Sequence, residues 1–496
     1  MTGRYILAID QGTTNTKALL VGRDGQPAFR ASVPVTVTNP RADWVEQDAM
    51  ELWESVLAVA VKCVAHAGAG AIGGVAISNQ RETMVAWDRT TGEPVGPAIL
   101  WQCRRSAGIC DGLRAGGYEA MLREKTGLGI DPLFSASKMQ WLLEDVEGLR
   151  GRAEAGEICF GTVDSWLVWR LAGVHACDAS NASRTQLLNL RSMDWDEELL
   201  ALFGVPRVAL PRLMASSGRF GVCGDVAGLR GVPVVSAMGD SHAAMAGHAS
   251  FVPGTVKATY GTGSSLMTLL PGLPELAGES KVATTVAWAL RGGVQYALEG
   301  NVSMTGSGVQ WVGEFLGLAD PARDAVALAE TVNESAGVYF VPAMVGLGAP
   351  HWDSAARGTV SGLGRSSRAA HVARAAVEAI AFQVRDVFDA MEAEAGCALP
   401  VLHADGGATR NDGLMQFQAD VLGRPVVRSG CEDLSALGAA WFGGLELGWW
   451  SSTAELAKIQ PGTQTFTPRM KAAERERRYA GWRLAVARAR LAEVRR

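Results

Sequence analysis

The chain predicts an α/β protein built of two similar domains that face each other across a cleft. Two short glycine–threonine turns, far apart, look like copies of one device. Asp10-Gln11-Gly12-Thr13-Thr14-Asn15-Thr16-Lys17 follows the apolar run 5–9, and Tyr260-Gly261-Thr262-Gly263-Ser264-Ser265 precedes the apolar run 266–270. Each reads as strand, tight turn, strand. Around both turns, short buried-strand runs alternate with segments of helical period. A length of 496 residues also exceeds one ordinary core. The halves divide near residue 250, into 1–250 and 251–496. No Ser/Gly/Pro-rich linker marks the division, so the halves are expected to pack directly on each other.

The elements follow in chain order. Residues 4–22 form the first hairpin. Gln47 to Ala67 has helical period, with Met50, Leu52, Trp53, Val56, Leu57 and Val61 as its apolar stripe. Val75–Ser78 is a buried strand ending in the polar cluster Asn79-Gln80-Arg81-Glu82-Thr83, and Met84–Trp87 starts another hairpin. Helices are expected at 137–149 and 163–171. Val232–Met238 is a strand running into Gly239-Asp240, with a helix opening at Ala243. The second half restarts with the strand at 254–256. Helices follow at 307–316, 321–333 and 369–395, then the strand Leu402–Ala404, a helix at 435–447 and a basic helix at 469–496. That last segment keeps an apolar stripe (Tyr479, Trp482, Leu484, Val486, Leu491) beside its charges, so the charges read as a solvated face.

Composition excludes several function classes. The net charge of −5 offers no global attraction to nucleic acid or to an anionic membrane. Met1–Tyr5 leads straight into a strand without the apolar core of a secretory signal, and charges or glycines interrupt every apolar stretch before it could span a membrane. Eight scattered cysteines form no CxxC pair, and a chain of this size needs no disulfide staples, so reduced thiols and a cytoplasmic location are expected.

The glycine turns carry the chemistry. Glycine lets backbone approach a ligand closely, and the hydroxyls and backbone N–H groups of Thr13, Thr14, Asn15 and Thr262-Gly263 suit phosphate oxygens. Two such hairpins, one per half, suit a nucleotide phosphate tail held from both sides. Asp10, at a strand end, is either a turn cap or a carboxylate holding Mg²⁺ through water. Asp240 is either a helix N-cap or a functional carboxylate. Arg81-Glu82 is a surface ion pair or a clamp for vicinal hydroxyls, since Arg donates and Glu accepts. Asp405-Gly406-Gly407-Ala408, with Asn411, is a tight turn or flat backbone beneath an adenine ring.

Two signals mislead. Gly68–Gly73 matches GxGxxG but follows a helix and precedes a strand, the reverse of a dinucleotide fold, so it reads as a loop. Gly239-Asp240-Ser241-His242-Ala243 approaches the hydrolase elbow GxSxG but lacks its last glycine, leaving a serine hydrolase acting through Ser241 as a rival.

Together these residues resemble the FGGY carbohydrate kinases nearly end to end. The resemblance is carried by Asp10–Thr14, Trp44–Asp48, Asn79–Thr83, Trp101–Arg105, Asp164–Leu167, Asn181–Thr185, Gly346–Asp353 with Ala356–Gly358, Asp405–Ala408 and Met415–Gln418. It implies two actin-like (ribonuclease H-like) domains, ATP and Mg²⁺, a small polyol or sugar as acceptor, and a homo-oligomer (dimer or tetramer). By position, Asp240 would be the general base and would share Mg²⁺ with Asp10. Thr13, Thr14 and Lys17 would lie along the phosphates opposite Gly261–Gly263. Gly306, Gln310, Gly406, Gly407, Ala408 and Asn411 would line the nucleotide. Arg81, Glu82, Trp101 and Asp240 would face the acceptor.

Departures cluster at the acceptor's other end. Leu133 stands where glycerol-phosphorylating members have a tyrosine, Ser241 and His242 where they have two glutamines, and Ser265 where they have a phenylalanine. Glycerol is the best single acceptor on this reading, with a tetritol, pentitol or ketose as the alternative. The loop Asp225–Arg230 is only weakly similar to the sugar-bisphosphate loop of some members, so that inhibition is not carried over. A non-catalytic ATP-binding module is the remaining rival; it would not need Arg81, Glu82 and Asp240 together.

Overall fold

The computed structural model describes residues 3–68, 70–226, 228–459 and 462–491. The expectations at Ala69, Ala227 and 492–496 therefore fall outside the described residues.

Two sheets carry the fold on one plan. The first runs Ser217–Val222, Pro233–Gly239, Ile72–Asn79, Tyr5–Gln11, Asn15–Gly22, Pro27–Pro34. The second runs Ala283–Leu290, Gly293–Val302, Ser264–Leu269, Thr255–Tyr260, Val401–Asp405, Val426–Ser429, Thr463–Phe466. In each, an antiparallel glycine hairpin (5–22 and 255–269) lies beside parallel strands reached through a helix. Those crossover helices are Ala49–Ala67 and Ala369–Glu394, and the shared order makes the duplication visible in the topology.

The parallel strands are buried on both faces, so they read as apolar runs without alternation: all eight residues of Ile72–Asn79 and all seven of Pro233–Gly239 are buried. The helix Ala49–Ala67 starts where the Asp48 carboxylate caps the N–H groups of Met50 and Glu51. It buries Leu52, Trp53, Val56, Val59, Ala60 and Cys63, whereas Val61 lies outside, so the stripe is rotated from the expected one.

One core joins the halves. Ile6, Ala8, Ala76 and Met238 of the first sheet pack with Met267, Trp288 and Ala297 of the second around the helices Asp240–Gly247 and Leu434–Glu446. The second of these helices, although late in the chain, lies on the first sheet: Ser217 Oγ donates to the Phe442 carbonyl (2.8 Å) and Trp441 Nε1 to that of Gly25 (3.0 Å). Close backbone contact makes glycine necessary there, since a Cβ on Gly438 would sit 1.9 Å from the Ala243 carbonyl oxygen.

Several boundaries differ from expectation. The segment 137–149 is one helix, Ser135–Asp145, followed by a second, Leu149–Glu154, because Gly148 takes a left-handed turn between them. The helix at 321 stops at Ala329, and the C-terminal helix spans Ala472–Ala489 with Leu484 exposed. All eight cysteines are free thiols. No described helix is long and apolar enough to cross a membrane.

Candidate active site

Strand register gathers the functional side chains. Gln11, Asn79 and Gly239 are paired neighbours at the carboxyl ends of three parallel strands, so Asp10, Arg81-Glu82 and Asp240 emerge at one edge, the edge where open α/β sheets bind ligands. In the second sheet Thr259 and Asp405 are partners, which brings Gly261–Gly263 and Gly406–Ala408 to a corresponding edge.

Asp240 is the first residue of its helix and Gly239 is the cap, which removes the N-cap reading. Its Oδ1 accepts from Arg81 Nε (3.0 Å) and from the Ser241 N–H (2.6 Å). Its side chain is 38% exposed against 8% for Arg81, so the carboxylate is open to a ligand while its partner is not.

Arg81 and Glu82 are not a surface ion pair. Both are buried, and each is held by other charges: Arg81 NH1 by Glu299 Oε1 (2.6 Å) and Glu82 Oε1 by Arg184 Nε (2.6 Å), with Arg184 NH1 returning to Glu299 Oε2 (2.7 Å). Burial opposes the charge on Glu299, but Arg184 and Arg81 outweigh it and hold the carboxyl far below the usual range. Each clamp residue keeps one edge uncommitted. Arg81 NH2 and Glu82 Oε2 make no hydrogen bond to a described residue, leaving a donor and an acceptor for neighbouring hydroxyls. Glu82 sits at φ +59°, a costly conformation for a non-glycine residue. Its carbonyl accepts from Ser135 Oγ (3.0 Å) and Lys138 Nζ (3.2 Å), and burial pushes that ammonium down to about 8.

The other acceptor-side residues divide. Trp101 is half exposed and its Nε1 donates to Thr13 Oγ1 (3.0 Å), joining the acceptor side to the first hairpin. Ser265 Oγ donates to Glu299 Oε1 (3.3 Å). Leu133 packs with Leu128, Phe134 and Ala283. His242 is fully buried with Nε2 towards Thr285 Oγ1 (3.4 Å), kept neutral by burial and by the nearby Arg81 charge. Its Nε2 is turned to Thr285 and it makes no hydrogen bond to Ser241, so it does not serve Ser241 as a base.

Both hairpins offer free backbone donors. The Gly12 N–H closes the first turn onto the Asn15 carbonyl (3.0 Å), and those of Thr13 and Thr14 donate to no described residue. The amides of Gln47 and Gln80 brace it from beneath: Gln47 Nε2 reaches the Thr13 carbonyl (2.8 Å), and Gln80 Nε2 reaches Gln47 Oε1 (2.8 Å). Asn15 Nδ2 donates to Thr14 Oγ1 (3.1 Å), and Lys17 pairs with Asp433 (3.2 Å). In the second turn the Gly261 and Thr262 carbonyls are taken by the N–H groups of Gly306 (3.1 Å), Thr305 (3.0 Å) and Ser307 (3.1 Å), while the N–H groups of Thr262 and Gly263 donate to no described residue. Gly263 and Gly306 are glycine by necessity: a Cβ on Gly263 would stand 2.6 Å from the Val302 carbonyl, and one on Gly306 2.7 Å from that of Gly261.

The loop 406–411 abuts this hairpin. Gly406 has φ +94°, and a Cβ there would meet the Tyr260 carbonyl at 2.4 Å. Gly407 and Ala408 continue into a 3₁₀ turn, and Asn411 caps the next helix through the Leu414 N–H (2.9 Å). Gln310 is exposed on the helix begun by Gly306 and bonds Glu314 (2.9 Å).

Asp10 is half-buried at this edge. Burial, opposed by Lys17 and reinforced by Asp240 and Asp433, pushes it up to about 6, and Ser78 Oγ donates to it (2.9 Å). Among the described residues no group of three or more His, Cys, Asp or Glu could enclose a metal. Two facing carboxylates, one resisting ionisation, instead suit a hydrated Mg²⁺ held through water. Between about pH 4 and pH 6 folded Asp10 keeps a proton that the unfolded chain has released, so stability falls as pH rises through that window. Asp10→Asn is therefore expected to raise Tm by about 2 °C near neutral pH, the gain vanishing towards pH ~4. A lower Tm at neutral pH, read by calorimetry, would refute this.

Sequence reasoning does not single out Glu299, Lys138 or Asp433, and it leaves Gln80 and Arg184 without a role although both stand in motifs that carry the resemblance. Glu299 lies in an ordinary alternating strand, and only three-dimensional pairing reveals it.

This fold and edge define a two-domain α/β kinase, and comparison with known proteins agrees. The model of the FGGY family of carbohydrate kinases, N-terminal domain, matches residues 5–247, and that of the C-terminal domain matches 256–447. The chain belongs to the FGGY family of carbohydrate kinases, ATP-dependent enzymes with an actin-like pair of domains. It is 45% identical over 490 residues to glycerol kinase 2 of Thermotoga maritima (98% of each chain) and 47% over 494 residues to the glycerol kinase of Symbiobacterium thermophilum (99% of each). Among solved structures it resembles Plasmodium falciparum glycerol kinase with ADP (TM-score 0.90, 29% identity, 99% of each chain). Gluconate kinase from Lactobacillus acidophilus, at TM-score 0.89 and 21% identity, shares the fold.

Proposed function

We propose that the protein transfers the γ-phosphoryl group of ATP to a primary hydroxyl of a small polyol, with glycerol as the acceptor. The observation that carries this reading is the convergence at one edge of an exposed carboxylate, Asp240, with the uncommitted edges of Arg81 and Glu82. Arg81 NH2 donates to, and Glu82 Oε2 accepts from, adjacent hydroxyls, with Trp101 covering the carbon chain. Asp240 takes the proton of the attacking hydroxyl. The free N–H groups of Thr13, Thr14, Thr262 and Gly263 hold phosphate oxygens, and the loop 406–411 with Gly306 and Gln310 receives the nucleoside. Mg²⁺, bound with the nucleotide, would neutralise phosphate charge, and Asp10 and Asp240 would hold it through water. In this reading residues 1–250 form the acceptor-side domain and 251–496 the nucleotide-side domain of a cytoplasmic homo-oligomer. Phosphoryl transfer needs positioning and charge stabilisation more than covalent help, which suits this residue set.

The test is a coupled ADP-release assay with MgATP against glycerol, C4 and C5 polyols, and ketoses. Highest kcat/KM for glycerol supports the reading. Strong turnover only of a longer polyol would mean that Leu133, Ser241 and Ser265 set a different acceptor. ATP-dependent phosphorylation of none of them would overturn it.

A further inference from the structure

The helix Asp240–Gly247 has a polar side chain at each end. It starts at Asp240, and the residue capping its far end, His248, places Nε2 2.6 Å from Asp405 Oδ2. Both side chains are buried, 4% and 8% exposed. Asp405 is the last residue of its strand and immediately precedes Gly406, whose backbone is wedged against Tyr260. One rigid helix therefore joins the proposed base to the root of the loop proposed to receive the nucleoside. The pair crosses between the halves, since His248 follows the first sheet and Asp405 belongs to the second.

The surroundings strengthen the link. Burial would raise the Asp405 carboxyl, but the His248 hydrogen bond and charge, with the Lys257 ammonium, hold it below the usual range. Lys257 is fully buried on the neighbouring strand, and its Nζ has no hydrogen-bond partner among the described residues. Burial opposes its charge, which Asp405, Asp240 and Glu299 favour and Arg81 opposes. The His403 ring lies 5.5 Å from that of His248. A Cβ on Gly247 would strike the Leu434 carbonyl at 2.4 Å, so the helix packs directly on the helix Leu434–Glu446.

We propose that His248 and Asp405 are positioning residues that couple occupancy of the nucleotide loop to the placement of Asp240. The inference rests on the kinase reading above, but its test reads nucleotide binding without an acceptor. Hydrogen exchange of the 240–248 amides is followed in the full-length protein with and without a non-hydrolysable ATP analogue and Mg²⁺, in the parent, His248→Gln, His248→Ala and Asp405→Asn. Glutamine can still donate to Asp405, so the analogue should slow exchange in the parent and His248→Gln. It should not in His248→Ala or Asp405→Asn, each shown by titration to bind the analogue. In the acceptor assay, His248→Ala should lose about tenfold in kcat with acceptor KM unchanged, and His248→Gln should recover most of it. Protection of 240–248 that persists in His248→Ala, or is absent from the parent, overturns the proposal. If the parent shows the protection yet phosphorylates no polyol, the acceptor reading fails and the coupling stands.

Discussion

Asp240→Asn is expected to lower kcat by about 10³-fold while KM for ATP stays within roughly twofold. The substitution is nearly isosteric, and the structure shows why it should fold. Oδ1 accepts both protein hydrogen bonds, from Arg81 Nε and the Ser241 N–H, and an amide oxygen accepts the same two. Arg81 also keeps its second anion, Glu299, at 2.6 Å. What disappears is the second carboxylate oxygen, on a side chain 38% exposed to the cleft, the group that would take the hydroxyl proton. The hairpin N–H groups and the loop 406–411 are untouched, so nucleotide binding should survive. The measurements are steady-state kinetics with the best acceptor, titration of the ATP analogue, and circular dichroism. Turnover near that of the parent removes Asp240 from the role of base; loss of nucleotide binding would show that its charge serves the phosphates instead.

Much of this site was readable in the chain because it is built from short contiguous motifs. A glycine–threonine turn between two apolar runs reports its own geometry, and both hairpins lie where the spacing puts them. The strand ending at Asn79 delivers Arg81 and Glu82, as the switch from apolar to polar residues suggests. Pairing over long separations leaves no such mark. Glu299 is one acidic residue in the strand Gly293–Val302, separated from Arg81 by 218 positions, and nothing in the local period tells a solvated glutamate from one gripped by two arginines. The ion-pair alternative for Arg81-Glu82 fails for the same reason: the two are neighbours in sequence, but each pairs with a distant partner. Helix starts differ for another reason: the cap alternative for Asp240 falls because the extended Gly239 before it already ends the strand, so the helix begins three residues earlier than the expected start at Ala243.

Glu299→Gln is expected to destabilise the protein by about 3 kcal/mol and to raise acceptor KM several-fold more than KM for ATP. Glu299 is almost fully buried, and its two oxygens face two guanidiniums, Arg81 at 2.6 Å and Arg184 at 2.7 Å. It is the anion between them. A glutamine can present its oxygen to one arginine only, and its NH₂ would then confront the other donor across a contact that water cannot relieve. The glutamate comes from the second sheet and both arginines from the first half, so the loss also loosens a tether between the halves. Arg81 retains Asp240 and Arg184 retains Glu82, which argues against complete unfolding. Those remaining partners are the base and one half of the clamp: once Glu299 no longer holds the far side, the guanidiniums are expected to turn towards Asp240 and Glu82 and occupy the edges left free for hydroxyls. Glu299→Asp keeps the charge on a shorter arm and should fall between parent and Glu299→Gln on both measures. Denaturant unfolding and acceptor KM are the two readouts. If the unfolding midpoint and acceptor KM of Glu299→Gln both match the parent, the charge network is not what holds Arg81 and Glu82 in place; if stability falls while acceptor KM does not move, the network serves the fold and leaves the clamp to the Lys138 and Ser135 contacts on the Glu82 backbone.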